Sequence, residues 1–217
     1  MVFDSFYPGP NLEIYQSLRT NIQKLLWIAG TKGSGKTHLL QAAFHRCIRL
    51  SRKSLYIPMC EFDQFSPEIL DDLDQLDLIC IDDIEFILGN QAWERKLLDL
   101  YERLQTTDCH LVIASHEPPK GINFFLPDLA SRFSMSVVHQ LEMLTETEII
   151  SAIQQHANIR GFNLPNDSAN YLLKRVERNV GSLMEIIKIL DYESLSKQRK
   201  LTVPFIKNIL HLGNKDQ

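Results

Sequence analysis

Gly30-Thr-Lys-Gly-Ser-Gly-Lys-Thr37 fills every fixed position of the pattern GxxxxGK[ST]. Those residue types at that spacing make a phosphate-binding loop. The glycines let the backbone curl so that its N–H groups point at phosphate, and the start of the following helix adds partial positive charge. Lys36 then reaches the β- and γ-phosphates, and the Thr37 hydroxyl takes a position on magnesium. A glycine-rich turn without a ligand is the competing reading; the complete motif, running from a predicted strand into a predicted helix, argues against it. Further on, Leu78-Ile-Cys-Ile-Asp82-Asp83 ends an apolar run with two acids. Asp82 is placed to hold the same magnesium through water. Asp83 is placed to orient or deprotonate an attacking water, with a reach one methylene shorter than a glutamate's.

These groups work only if strands and helices hold them together. Short apolar runs at Leu25–Ala29, Ser54–Ile57, Leu76–Ile81, Leu111–Ala114 and Val137–Leu141 are rich in β-branched residues and separated by stretches long enough for helices. That alternation predicts a parallel sheet. Lys36–Leu50, Gln91–Gln105 and Pro67–Leu73 carry apolar residues three and four apart, as crossover helices require. Beyond residue 141 the strand signal stops. Thr145–Ile159, Asp167–Val176, Ser182–Leu195 and Val203–Leu212 read as amphipathic helices, with caps expected at Thr145 (with Glu148) and at Asn166. The fold class expected is therefore α/β, a P-loop domain with a five-stranded parallel sheet over residues 1–142, followed by a small all-helical domain over 143–217.

The 217 residues are 44% hydrophobic and 23% charged, which excludes disordered, collagenous and disulfide-scaffold classes. Four cysteines without a CxxC pair imply neither a zinc site nor a disulfide framework. No apolar stretch approaches the ~20 residues of a membrane helix, and the start lacks a signal peptide's charged and apolar regions, so a cytoplasmic protein is expected. The net charge of −4 is uneven: residues 1–150 hold 13 Lys and Arg against 21 Asp and Glu, while 151–217 hold 10 against 6. An acidic chain lacks the basic footprint of a duplex-DNA binder. The stretch Asp71, Asp72, Asp74, Asp77 reads as a solvated loop face.

Phe3-Asp-Ser-Phe6, Gly33-Ser-Gly-Lys-Thr-His-Leu-Leu40, Ile81-Asp-Asp-Ile84 and Leu129-Ala-Ser-Arg-Phe133 resemble the AAA+ module of the bacterial replication initiator DnaA. Leu126-Pro-Asp-Leu-Ala-Ser-Arg132, Arg160-Gly-Phe-Asn-Leu-Pro165 and Gln198-Arg-Lys-Leu-Thr-Val-Pro-Phe205 are similar more closely to Hda, the short DnaA paralogues. The resemblance implies an AAA+ fold with a helical lid. It also implies a regulator that binds ADP or ATP with Mg2+ and limits re-initiation by promoting hydrolysis of DnaA-bound ATP, with weak ATPase activity of its own. The nucleotide-binding residues it implies are Gly30, Thr31, Lys32, Gly33, Ser34, Gly35, Lys36, Thr37 and His38, with Phe3, Phe6 and Tyr7 flanking the adenine; Thr37 and Asp82 are the metal residues.

Arg132 matches the family's arginine finger, which reaches into a neighbour's nucleotide site and contributes about 10³ to 10⁵ in rate, whereas an exposed ion pair contributes about 0 to 1 kcal/mol. With Asp83 it completes the catalytic set. His116, with Ser115 beside it, stands where the family places a small polar or acidic sensor of the γ-phosphate. Gly181 stands where relatives carry a lid arginine, for which Lys174, Arg175 or Arg178 are candidate substitutes. The partners implied are DnaA, a homo-oligomer and the DNA sliding clamp. Only Met1 and Val2 precede Phe3, however, so the family's clamp peptide is not expected here, and Gln75-Leu-Asp-Leu78 is too embedded in a strand to replace it. Five residues follow Leu212, so no helix-turn-helix and no sequence-specific DNA binding are expected. A helicase loader of the DnaC kind, engaging single-stranded DNA through a basic lid, is the alternative function.

Overall fold

All five apolar runs are strands: β1 (Leu25–Ala29), β2 (Ser54–Pro58), β3 (Leu78–Asp82), β4 (His110–Ser115) and β5 (Val137–Gln140). They pair in parallel in the order β2-β3-β4-β1-β5. The computed structural model describes residues 1–176, 180–197 and 199–210, in two compact units. One comprises Met1–Phe3 and Pro10–Met143, the other Asp4–Gly9 and Leu144–Gln217.

The first unit holds the sheet with α1 (Leu12–Thr20), α2 (Lys36–Arg49), α3 (Gln91–Leu104) and α4 (Pro127–Phe133). Its central strands are buried on both faces, which is why they read as unbroken apolar runs rather than as alternations. Trp27, Ile79, Ile81, Leu111 and Ile113 share one core cluster with Trp93, Leu97, Leu100 and Leu104 of α3. The alternate positions face α2, where the Cys80 thiol meets the Leu40 carbonyl. This period of two decides which side chains at the strand ends can meet.

One local expectation in this unit is corrected. Pro67–Leu73 is not a crossover helix but two short 3-10 turns, Pro67–Leu70 and Leu73–Gln75, interrupted by Asp72 at a left-handed φ of 55°. The acidic stretch lies at the surface as expected, with Asp72 and Asp77 exposed; within it Asp71 pairs with Lys96 at 2.6 Å and Asp77 accepts the Lys53 N–H at 2.8 Å. Helix α1 gave no sequence signal strong enough to read, since only Ile14 and Leu18 of its nine residues are buried.

The described part of the second unit is helical: α5 (Glu146–Ile159), α6 (Asn166–Arg175), α7 (Val180–Lys197) and α8 (Val203–Ile209). Ile153, Leu172, Leu183, Ile187, Leu190 and Ile206 form its core. Thr145 and Glu148 make a reciprocal capping box at the start of α5. Asn166 does not cap α6; Pro165 takes the cap position, and the Asn166 side chain accepts from Gln154 Nε2 at 2.8 Å instead. Within this unit Gln155 Nε2 donates to the carbonyls of Asp4 and Phe6, at 3.1 and 3.5 Å. No helix among the described residues is long and apolar enough to cross a membrane.

Candidate functional site

The loop Gly30–Gly35 leaves the end of β1 and enters α2 at Lys36. Gly33 and Gly35 have φ of 86° and 102°, the left-handed region that favours glycine. A Cβ on Gly30 would lie 2.6 Å from Ser34 Oγ, so this turn also needs the absence of a side chain. Gly35 caps α2 without any side-chain hydrogen bond. The Ser34 hydroxyl is buried without a partner among the described residues. Thr31, Lys32 and Gly33 form the exposed tip.

Lys36 is 6% exposed, and its ammonium donates to the carbonyls of Gly30 at 2.6 Å and Thr31 at 3.2 Å. Burial lowers its pKa, opposed by the carboxylates of Glu85, Asp83 and Asp82. His38 Nε2 lies 3.0 Å from the Val2 carbonyl, on the N-terminal segment of the same unit.

Asp82, the last residue of β3, is 1% exposed. It shares the α2-facing side of β3 with Leu78 and Cys80, which turns its carboxylate toward the start of α2. Tyr56 Oη donates to Asp82 Oδ2 at 2.8 Å, and the Thr37 hydroxyl also bonds the carboxylate. Burial raises the Asp82 pKa, while these two hydroxyl bonds pull it down. Asp83 follows at a left-handed φ of 53°. Its pKa is raised first by burial and then by Glu85, and lowered by Lys36 and His116.

Sequence reasoning missed Glu85. Both of its carboxylate oxygens are buried without a hydrogen-bond partner among the described residues. His116 Nδ1 nevertheless stands 2.6 Å from Glu85 Oε1, an ion-pair distance without hydrogen-bond alignment. Three carboxylates, Asp82, Asp83 and Glu85, thus act on one buried lysine. The signal available was the acid two residues after Asp83, hidden by the stronger Asp82-Asp83 pair. Ser115, in contrast, belongs to the opposite side: it is fully buried, accepts from Trp27 Nε1 at 2.7 Å and donates to the Glu117 carbonyl. It is a core group and leaves His116 as the residue at that strand end.

Among the described residues no group of three or more His, Cys, Asp or Glu side chains could hold a metal by itself. One hydroxyl and one buried carboxylate at the head of a phosphate loop instead fit a magnesium whose remaining ligands are water and phosphate oxygens. The uncapped start of α2, the partnerless Ser34 hydroxyl and the Lys36 ammonium fit a phosphate chain.

Arg132 lies in the last turn of α4, with its side chain exposed. Its neighbours anchor the helix: Leu129 and Phe133 are fully buried, and Phe133 packs against Trp27 at a ring separation of 5.5 Å. Fully burying one such side chain contributes about 1.5–3 kcal/mol. Among the described residues no ion pair to Arg132 is formed. Phe3 is buried against Tyr15 within the first unit. Phe6 is buried and Tyr7 half-buried, both within the second unit. Gly181 is exposed in the first turn of α7, and Arg178 lies outside the described residues. Lys174 is exposed; the Arg175 guanidinium lies 6.0 Å from the Tyr171 ring centre.

Residues 2–140 match the family model described as the bacterial DnaA ATPase domain. The chain belongs to that family. Residues 146–210 of this DnaA-related AAA+ protein match the model described as the lid domain of Hda. Among solved structures, domain III of the Thermotoga maritima replication initiation protein DnaA superposes with a TM-score of 0.79 at 23% identity, covering 99% of this chain and 97% of that one. Aquifex aeolicus DnaA bound to AMPPCP gives 0.70 at 20% identity, over 91% and 67%. The Thermotoga maritima RuvB branch migration motor gives 0.70 at 17% identity, over 99% and 74%. At these identities the structural likeness speaks to the AAA+ fold, while the two family models place the chain with DnaA and Hda.

Proposed function

We propose that this chain is a regulator of replication initiation that binds an adenine nucleotide with magnesium and uses Arg132 to promote hydrolysis of ATP held by DnaA. The observation that carries the reading is the joining, in one chain, of a DnaA-type ATPase module and a lid of the Hda kind. The Aquifex structure bound to AMPPCP supports an adenine nucleotide as the ligand.

In this reading the N–H groups of Gly33 to Thr37 and the Lys36 ammonium hold the phosphates, and Ser34 donates its hydroxyl to them. Bound magnesium supplies charge neutralisation at the phosphates, with Thr37 and Asp82 as the residues that would hold it. Asp83 and Glu85 bracket the side where water attacks. With the shorter acid at 83 and glycine at 181, turnover by the isolated chain stays well below the ~10 s⁻¹ median of enzymes. Arg132 serves a neighbour's site, because an exposed guanidinium on an anchored helix can enter a second protein's nucleotide site and neutralise developing charge there.

The test adds this protein, with and without loaded sliding clamp, to ATP-bound DnaA and follows conversion to the ADP form. Acceleration that Arg132→Ala removes, with the variant's own nucleotide affinity unchanged, is the expected result. If neither condition shortens the lifetime of ATP-bound DnaA, the reading fails. Capture of the replicative helicase instead favours the loader alternative.

A further inference from the structure

Glu94 is fully buried, yet no cation pairs with it among the described residues. Its carboxylate instead accepts three backbone N–H groups: Gly89 to Oε1 at 2.6 Å, Phe125 to Oε1 at 2.9 Å, and Leu126 to Oε2 at 2.7 Å. The two carboxylate oxygens thus serve as acceptors for three backbone donors drawn from two separate loops. A buried acceptor bonded in this way is costly to remove, because three N–H groups are then left without partners.

The bonds join two particular segments. Leu126 is the N-cap residue of α4 and has no side-chain hydrogen bond of its own to offer; Pro127 follows and has no N–H. Helix α4 has seven residues, far too few to be stable alone, so the position of Arg132 depends on what holds each end. Phe133 holds one end in the core, and Glu94 holds the other. Gly89, at a left-handed φ of 80°, ends the segment that runs on from Asp82, Asp83 and Glu85.

We infer that Glu94 is a positioning residue, whose carboxylate fixes the Arg132 helix to the segment following the Asp82-Asp83 pair. This rests on the finger reading of Arg132. Glu94 touches neither nucleotide nor partner. It acts by restricting where the guanidinium can be presented, so it governs the maximal acceleration of ATP hydrolysis on the partner more than the concentration needed to reach it.

The experiment uses the full chain with Glu94→Ala and Glu94→Gln, beside Arg132→Ala, in the DnaA-ATP conversion assay, together with amide hydrogen exchange. Glu94→Gln keeps the shape and part of the acceptor capacity, and it remains informative if the alanine variant does not fold. The expected result is a maximal acceleration lowered at least tenfold in Glu94→Ala and by less in Glu94→Gln. Half-saturating concentration and the chain's own nucleotide affinity stay within about threefold of wild type. Exchange speeds up over residues 122–134 and stays unchanged over 25–49. Loss of acceleration in Arg132→Ala with wild-type acceleration in both Glu94 variants overturns this inference alone. Unimpaired acceleration in Arg132→Ala overturns the finger reading, whatever Glu94 does. Equal losses of exchange protection over 25–49 and 122–134 reduce Glu94 to a general stabiliser and also overturn the positioning role.

Discussion

The Tyr56 hydroxyl on β2 donates to Asp82 Oδ2 on β3 at 2.8 Å, and Tyr56 itself is registered opposite Cys80, two residues back on the same face. The tyrosine and the Thr37 hydroxyl therefore both hold the candidate magnesium carboxylate. Tyr56→Phe should weaken magnesium-dependent ATP binding about three- to tenfold, about 0.7–1.4 kcal/mol, while binding in the presence of a chelator stays within twofold. Titration calorimetry with and without Mg2+ reads this directly. An equal loss under both conditions would mean that Tyr56 supports the fold and not the carboxylate's orientation.

Lys36 makes its present hydrogen bonds to the loop's own carbonyls, which hold it inside the phosphate loop rather than in solvent. Lys36→Ala should lower adenine-nucleotide affinity at least tenfold, about 1.4 kcal/mol, with the circular dichroism spectrum unchanged. Unchanged affinity would remove the phosphate loop from the proposed site.

Most of this arrangement is legible in the sequence, and the exceptions have physical causes. The central strands β1, β3 and β4 announce themselves because both faces are buried, and Lys36, Thr37 and Asp82 are marked by motif and by strand ends. Ser115 also had a readable sign: it lies in step with Leu111 and Ile113, on the side of Trp27, and so could not face the phosphate loop. Glu94 was not legible, because an acid in the first turn of a helix is ordinarily a solvated complement to the helix dipole. Its role depends on the Phe125 and Leu126 amides, thirty-one and thirty-two residues away, which no local pattern reports. The same holds for Glu85, whose significance comes from Lys36 and His116 on other segments.

Asp82 illustrates a conflict between stability and function. Its folded pKa lies above the ordinary carboxylate value of about 3.9, chiefly through burial, so keeping this carboxylate charged in the fold carries a cost at pH values above the carboxyl's unfolded value. Asp82→Asn keeps the shape and the Tyr56 hydrogen bond. The ligand-free variant should therefore melt higher than wild type at pH 7, by about 2–4 °C for each 1 kcal/mol gained, and should lose magnesium-dependent nucleotide binding. The advantage should shrink as pH falls through the folded pKa, where the wild-type carboxyl takes up its proton. A variant that melts lower at pH 7 would show that the hydroxyl bonds from Tyr56 and Thr37 outweigh the burial.

In the second unit, His156 on α5 has both ring nitrogens buried without a partner among the described residues. Burial, and then the nearby charges of Arg160 and Lys188, lower its pKa below the ordinary value of about 6.5. An unfolded chain therefore takes up this proton at a higher pH than the folded one. The contribution to stability is complete above about pH 6.5 and is lost as pH falls through the folded value. His156→Leu removes the titration together with two unsatisfied buried nitrogens, each class of which costs about 1–3 kcal/mol when left unpaired. Hydrogen exchange over residues 149–173, corrected for the intrinsic pH dependence, should show protection falling between pH 7 and pH 5 in the wild type. In the variant the profile should be flat, with protection at pH 7 higher by about 1 kcal/mol or more. A wild-type profile already flat over that range would mean that the imidazole reaches water in solution, and a variant as steep as wild type would assign the acid sensitivity to another group.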